Sequence, residues 1–148
     1  RKYTRKVFLD LDVVIHNNID WLFTTPIKKL NVIDTKWKPP EYINSYLNTG
    51  CNSSVMVWEH SPQISHVFER QRDAYMCKYS GMDRFLWHEV RDEWEFIPNE
   101  EVYSYRHGSN LIDNVPRIIR PSKSICIYHQ LPKPHEEMNY EPAKSHWK

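Results

Sequence analysis

The sequence predicts an α/β fold, in which the strands of a sheet alternate with helices that pack against it. The run from Val7 to Ile15 is apolar apart from two aspartates, and the run from Ser124 to Tyr128 (SICIY) is also apolar. Both have the length and the β-branched content of buried strands. Between them, over residues 61–78, apolar side chains recur at helical spacing. Strands that alternate with a helix in this way form a layered α/β sandwich.

Length and composition limit the class of protein. A chain of 148 residues is enough for one domain, and 40% hydrophobic and 14% aromatic residues indicate a globular chain. The 20 Lys and Arg residues nearly balance the 19 Asp and Glu residues, without the clustered cations of a nucleic-acid-binding surface. No segment approaches the roughly 20 apolar residues that a membrane span needs. We therefore expect no nucleic-acid partner and no membrane span.

The cysteines indicate the compartment. Cys51, Cys77 and Cys126 are odd in number and lack the spacing of a zinc finger. Three free, buried thiols are typical of a reducing compartment. The basic N-terminus is followed by an acid-bearing strand rather than by the apolar core of a signal peptide. A cytoplasmic location is therefore expected.

The first strand begins close to residue 1, and a buried parallel strand needs neighbours on both sides. We therefore expect residues 1–148 to form a single domain that is the later part of a larger one. A core strand that lacks a neighbour leaves its backbone hydrogen-bonding groups open. Self-association of the chain is the expected consequence.

The first half of the chain is predicted to contain two strands. The first, Val7 to Leu11, is expected at the centre of the sheet with both faces buried. Residues 24–48 contain three prolines and are predicted to be mostly loop. The second strand is expected over residues 52–58 (NSSVMVW), where β-branched and aromatic residues are frequent.

Two helices follow. Ser61 suits the N-cap of the first and Pro62 its first helical position. Apolar residues mark one face of this helix: Ile64, Val67, Phe68 and Tyr75. The helix is expected to end at Lys78, before Ser80 and Gly81. A shorter helix is expected over residues 83–90.

Three short strands and a tail complete the prediction. The strands are expected over Trp94 to Ile97, Val102 to Tyr105 and Ser124 to Tyr128. The tail from residue 132 to 148 is rich in proline and charge. We expect it to be extended over the surface.

Asp10 and Asp12 lie at the end of the first predicted strand, where ligands bind in open α/β sheets. Residues i and i+2 of a strand point to the same side, so the two carboxylates can converge. Convergent carboxylates repel each other unless a cation lies between them, and Mg²⁺ or Mn²⁺ is the usual partner. The simpler alternative is a pair of solvated turn residues that bond backbone amides.

One enzyme class with Asp-x-Asp at such a position is the haloacid dehalogenase-like phosphatases. Their first aspartate is the nucleophile and their second the general acid. The motif normally continues with Gly or Thr, whereas Val13, Val14 and Ile15 follow here. This alternative also requires a lysine and a second acidic pair that support Asp10, and the sequence contains no clear set.

The chain resembles a second enzyme class over more of its length. Five segments cover most of it in the order found in that class: FLDLDVVIHNNIDWLF, CNSSVMVWEH, YSGMDRFLWHEV, FIPNEEVYSYRHG and CIYHQLPKPHE. They resemble metal-dependent glycosyltransferases of the GT-A fold, in the galactosyltransferase- and glycogenin-like branch. The last segment, for example, resembles the element His-Gly-x-Pro-Lys-Pro. The resemblance implies a partial GT-A sandwich without the N-terminal strands that hold the nucleotide base.

The resemblance also implies an activity. It is the metal-dependent transfer of a sugar from a nucleotide-sugar donor to a glycan or other acceptor, with retention of configuration. A divalent cation in such enzymes stabilises the departing diphosphate. The implied metal ligands are Asp10, Asp12 and His129, and the imidazole favours Mn²⁺ over Mg²⁺. Asp10 would also contact the donor, and Lys133 would bind the diphosphate as a point charge.

Two further site residues are implied by the resemblance. The Asn52 amide would lie near the sugar hydroxyls or the acceptor, and Asp83 would hold hydroxyls of the transferred sugar. Simpler interpretations stay open: Asn52 as a turn residue, Asp83 as a helix N-cap and His129 as a structural histidine. A glycosyltransferase-like domain that binds without catalysis is a further alternative. Met82 and Gln130 depart from the family pattern, which commonly has an acid and a glycine there.

Overall fold

The computed structural model describes residues 5–38, 43, 49–59, 63–97, 100–106, 111–112, 115–116, 120–129 and 131–147. They fold into two compact units, one drawn from Arg1–Phe8 and Pro26–Ile97 and the other from Leu9–Thr25 and Pro98–Lys148. Both units contain strands and helices, so the α/β class is confirmed at the level of a mixed fold. Each unit has its own sheet and its own core.

The described strands are short. They are β1 (Lys6–Leu9), β2 (Val13–Ile15), β3 (Leu30–Asp34), β4 (Cys51–Trp58), β5 (Trp94–Phe96), β6 (Val102–Ser104), β7 (Leu111–Ile112), β8 (Val115–Pro116) and β9 (Ile125–Ile127). The helices are α1 (Trp21–Thr24), α2 (Ile64–Arg70), α3 (Arg72–Lys78), α4 (Met82–Glu89) and α5 (Ala143–His146). Two 3₁₀ turns, Arg91–Glu93 and Pro134–Glu136, complete the elements.

The first unit contains a four-stranded sheet in the order β1-β4-β3-β5. β3 is antiparallel to β4 and parallel to β5. The prediction of a central strand over Val7 to Leu11 is wrong, because β1 lies at one end of this order and only alternate residues are half-buried. Phe8 is 42% and Leu11 87% exposed. The run holds two strands, separated by a turn in which Val13 N–H donates to the Asp10 carbonyl oxygen at 3.2 Å.

β3 is the main departure from the sequence prediction in this unit. The segment was predicted to be loop, yet β3 lies between β4 and β5. Leu30, Val32 and Ile33 are all buried. Pro26 precedes the strand and does not interrupt its hydrogen bonds. The core of the unit joins these strands to the helices through Leu30, Val32, Cys51, Ile64, Tyr75, Tyr79, Phe85, Leu86, Val90 and Trp94.

The helices of the first unit match the predicted pattern with one break. α2 and α3 cover the predicted helix and end at Lys78, but Gln71 between them has φ −139° and ψ 35°. The predicted cap at Ser61 and Pro62 lies outside the described residues. α4 begins at Met82 and buries Phe85. None of the described helices has the length and apolarity to cross a bilayer.

The second unit is built on the sheet order β2-β9-β6. β9 pairs antiparallel with β2, with Val13 opposite Ile127, and parallel with β6. The strands predicted near residues 102–105 and 124–128 are therefore confirmed, and β9 is central among the described strands of this sheet. β7 and β8 form a separate antiparallel pair.

The C-terminal segment does not lie extended on the surface, as the sequence predicted. It contains the 3₁₀ turn Pro134–Glu136 and the helix α5, and Ala143 is fully buried. Tyr105 Oη donates a hydrogen bond of 2.8 Å to Glu137 Oε2, and Glu137 is only 5% exposed. The segment is thus part of the core of the second unit.

The cysteines are free, as expected, but not all are buried. Cys51 and Cys126 are buried, whereas Cys77 is exposed on α3. The helical pattern explains the difference, because the apolar face of that segment is formed by other residues. Cys77 is therefore the thiol most open to reagents in the described part of the chain.

Candidate functional site

Asp10 and Asp12 lie in the turn before β2, and their carboxylates have different surroundings. Asp10 is exposed, and its Oδ1 accepts a hydrogen bond of 2.8 Å from Leu11 N–H. This is the geometry of the turn-residue alternative. Asp12 is half-buried, and its carbonyl oxygen accepts a bond of 3.0 Å from Tyr128 N–H. Asp12 thereby extends the ladder between β2 and β9.

Asp12 forms an ion pair with Lys133. The Asp12 Oδ2 atom accepts a hydrogen bond from Lys133 Nζ, across 121 residues of sequence. The two side chains are 20% and 34% exposed, so solvent screens this pair less than a fully exposed one. The resemblance assigned both residues to the same site, and the structure brings them together.

His129 lies two residues after the end of β9. It is the residue after Tyr128, whose amide bonds the backbone of Asp12. The His129 side chain is half-buried, and its Nε2 atom is closed to solvent. Across the described ranges, no group of three or more His, Cys, Asp and Glu side chains is arranged to hold a metal ion. Asp10, Asp12 and His129 are therefore near in the fold but do not form a ligand set in this arrangement.

Glu136 fixes the backbone of Lys133. Lys133 N–H donates to Glu136 Oε2 at 2.6 Å, and Glu136 N–H donates to the Lys133 carbonyl oxygen at 3.0 Å. These bonds hold the start of the 3₁₀ turn and thus the base of the lysine side chain. Sequence reasoning missed Glu136, although an acid three residues after a turn start is the spacing of a capping box. We call Asp10, Asp12, His129, Lys133 and Glu136 the Lys133 cluster.

A second cluster lies in the first unit, where Asp83 meets β4. Asp83 Oδ1 accepts a bond of 2.7 Å from Ser53 N–H, and Oδ2 accepts a longer bond of 3.4 Å from Asn52 Nδ2. Gly81 occupies the N-cap position of α4, so Asp83 is not the helix cap. Asn52 is 7% exposed and its Oδ1 also accepts from Ser54 N–H at 3.0 Å. The structure thus brings together the two residues that the resemblance assigned to sugar hydroxyls.

Lys38 and Cys51 add unexpected chemistry to this second cluster. Lys38 Nζ donates to the Thr49 carbonyl oxygen at 3.2 Å. Burial lowers the pKa of Lys38, and the charge of Asp83 partly opposes this change. Burial raises the pKa of Cys51 to about 12, so its thiol stays protonated and unreactive at neutral pH. We call Lys38, Thr49, Asn52, Ser53 and Asp83 the Asp83 cluster.

The sequence contained no direct signal for Lys38. It follows β3, and β3 itself was predicted to be loop, so the return of the chain over Thr49 could not be foreseen. Two side-chain clusters therefore carry the chemistry, one in each unit. Comparisons with protein-family models, curated proteins and solved structures return no match for this chain.

Proposed function

We propose that this chain is a metal-dependent glycosyltransferase of the GT-A kind, which moves a sugar from a nucleotide-sugar donor to a glycan or other acceptor with retention. The observation that carries the proposal is the ion pair between Asp12 and Lys133. The resemblance assigns these residues to the metal and to the donor diphosphate, from segments at opposite ends of the chain. Their proximity supports a single site that contains both the proposed metal ligand and the proposed diphosphate ligand.

Lys133 supplies the charge that a diphosphate needs. Its ammonium is a compact cation, and it is partly buried beside Asp12, so its field is less screened than that of a surface lysine. Asp12 holds the ammonium in place, and Glu136 holds the backbone below it. Transfer of the lysine hydrogen bond from Asp12 to a phosphate oxygen would stabilise the departing diphosphate.

The proposal includes Mn²⁺ or Mg²⁺ at Asp10, Asp12 and His129. Two carboxylates and an imidazole are suitable ligands, and they favour Mn²⁺. The bound cation would act as a Lewis acid on the diphosphate. Because Asp12 Oδ2 already accepts a hydrogen bond from Lys133, the ammonium competes with a metal ion for the negative charge of this carboxylate.

Asn52 and Asp83 are proposed to bind sugar hydroxyls. A carboxylate accepts hydrogen bonds from hydroxyl groups, and an amide can both donate and accept. Asp83 is already oriented by Ser53 N–H, so it needs little reordering when a ligand arrives. This orientation supports the role that the resemblance gives to the pair.

A phosphatase function is less well supported. In the haloacid dehalogenase-like pattern the supporting lysine serves the first aspartate. Here Lys133 contacts Asp12, whereas Asp10 Oδ1 accepts a hydrogen bond from Leu11 N–H. The described contacts of Asp10 therefore do not match those of an activated nucleophile.

Titration calorimetry with uridine, guanosine and adenosine diphosphates, with and without Mn²⁺, tests the proposal. We expect one of them to bind, with higher affinity when Mn²⁺ is present, and the matching nucleotide sugar to release its diphosphate. Binding without release would indicate the non-catalytic alternative. Hydrolysis of p-nitrophenyl phosphate without nucleotide binding would indicate the phosphatase. If no diphosphate binds, the proposed donor site is wrong.

Glu136→Ala should weaken diphosphate binding about three- to fivefold, because the backbone below Lys133 loses a hydrogen bond worth about 1 kcal/mol. Glu136→Gln should retain the affinity, since its amide oxygen can accept the same bond from Lys133 N–H. Calorimetric affinities of the two variants measure the difference. Equal losses in both would mean that the charge of Glu136 acts, and not its hydrogen bond.

The remaining parts of the proposal concern location and partners. A cytoplasmic location is proposed from the free thiols, and the balanced charge argues against a nucleic-acid partner. Self-association is proposed through β1, which is last in its sheet order among the described strands. Phe8 on that strand is 42% exposed and would supply an apolar contact.

A further inference from the structure

Lys38 directs its ammonium group over the start of β4. The chain turns back after β3, where Lys38 N–H donates to the Thr35 carbonyl oxygen at 2.8 Å, and its Nζ reaches the Thr49 carbonyl oxygen at 3.2 Å. Lys36 has the ordinary arrangement of a surface lysine, with a side chain that is 70% exposed. A half-buried ammonium therefore faces the residues that lead into β4.

The carboxylate of Asp83 faces the same segment. It is held by Ser53 N–H at 2.7 Å and approached by Asn52 Nδ2 at 3.4 Å. Its charge acts on Lys38, since the pKa of that lysine responds to Asp83 as well as to burial. Among the described residues, no hydrogen bond joins the two side chains directly: Lys38 bonds Thr49, and Asp83 bonds Asn52 and Ser53.

We propose that Lys38, Asn52 and Asp83 bind the hydroxyl groups of a neutral sugar, with Lys38 as donor and Asp83 as acceptor. A hydroxyl group accepts a hydrogen bond from an ammonium and donates one to a carboxylate at the same time. Thr49 takes one of the three hydrogens on Lys38 Nζ, which leaves two for a ligand. The sugar class rests on the proposed function, whereas the role of Lys38 comes from its contacts.

The opposite charges also predict which sugars the site rejects. A uronic acid would be attracted to Lys38 but repelled by Asp83, and an amino sugar would be repelled by Lys38. Because both charged side chains are half-buried, these repulsions are less screened than at the surface. A neutral hexose avoids both, so the site selects neutral sugars by penalising each kind of charged one.

The amide of Ser53 reports on this site, because it donates directly to Asp83. Amide NMR spectra of the whole chain are recorded with the neutral methyl glycosides of glucose, galactose and mannose, and with glucuronate and glucosamine. For wild type we expect a saturable shift of the Ser53 signal with at least one neutral glycoside, and weaker binding of both charged sugars.

Lys38→Met should lower the affinity for the neutral glycoside about tenfold, which is the effect expected when a hydrogen bond from a charged donor is lost. It should also make glucosamine the preferred ligand, because Asp83 then lacks its opposing cation. Lys36→Met is the matched control and should leave both affinities unchanged. A purely structural lysine would not reverse the preference for a charged sugar. Should Lys38→Met fail to fold, Lys38→Gln is measured with the same expected reversal.

Two results would overturn the proposal: a Ser53 signal that no neutral glycoside moves, or equal affinities in Lys38→Met and Lys36→Met. The diphosphate titration tests the role of Lys133, which belongs to the other unit. Sugar binding without diphosphate binding would leave the hydroxyl site in place and reject sugar transfer. Diphosphate binding without any sugar-dependent shift would reject the role of Lys38 alone.

Discussion

Mn²⁺ is expected to raise the melting temperature of the wild-type chain by about 5 to 10 °C, and Asp12→Ala is expected to abolish this shift. A ligand at one hundred times its Kd stabilises a fold by about 2.7 kcal/mol. For a chain of this size each kcal/mol corresponds to about 2 to 4 °C. Asp12→Ala removes one proposed ligand and lowers the negative charge of the site. Thermal unfolding in chelator-treated buffer, with and without added Mn²⁺, measures the effect.

Three variants test the origin of this shift. Asp12→Asn should lose it almost completely, because the amide keeps the shape but not the charge. Asp20→Asn is the matched control, since Asp20 is an exposed aspartate of the same unit. His129→Ala should weaken the Mn²⁺ effect more than the smaller Mg²⁺ effect. Equal stabilisation of wild type and Asp12→Ala would show that the carboxylate binds no metal.

Lys133→Met should change the affinities for diphosphate and for metal in opposite directions. Pyrophosphate binding should fall about tenfold or more, because a hydrogen bond between charged groups is lost. Mn²⁺ binding should become several-fold tighter, because the ammonium no longer competes with the cation for the charge of Asp12. Separate calorimetric titrations with pyrophosphate and with Mn²⁺ measure both changes. Lys144→Met, at an exposed lysine of α5, is the control.

Opposite changes would distinguish this ion pair from an ordinary one. If both affinities fell together, Lys133 would stabilise the fold of the second unit and would not bind the diphosphate. If neither changed, the contact with Asp12 would be a surface ion pair of the usual small value, about 0 to 1 kcal/mol. Either result would contradict the role proposed for Lys133.

The elements that the sequence predicted well are those with a clear local signal. The helical face of α2 and α3 was visible from apolar spacing, and β9 from its run of β-branched residues. The run before Asp12 was misread because β1 and β2 are both apolar, and a turn without glycine or proline separates them. β3 was predicted as loop because residues 24–48 contain three prolines, but these prolines lie outside the strand. Tertiary pairing decided these cases, and composition could not.

The site was predictable only in part, for a similar reason. Asp12 and Lys133 could be assigned from motifs, because their segments resemble a known pattern. Lys38 and Glu136 contact backbone atoms, and such contacts depend on where the chain turns. The return after β3 and the 3₁₀ turn at residue 134 are not marked by any residue pattern of a site. These contacts became visible only with the fold.

The chain order of the second unit has a consequence for folding during synthesis. Its two parts flank Pro26–Ile97 in the sequence, and the contact between Asp12 and Lys133 spans 121 residues. At about 5 to 20 residues per second, the ribosome needs roughly 6 to 24 s to make the partner segment. The first unit can fold meanwhile, because its residues are nearly contiguous. Val13 and Val14 of β2 therefore have no β9 to pair with during this interval, and their apolar side chains stay exposed until the later segment is made.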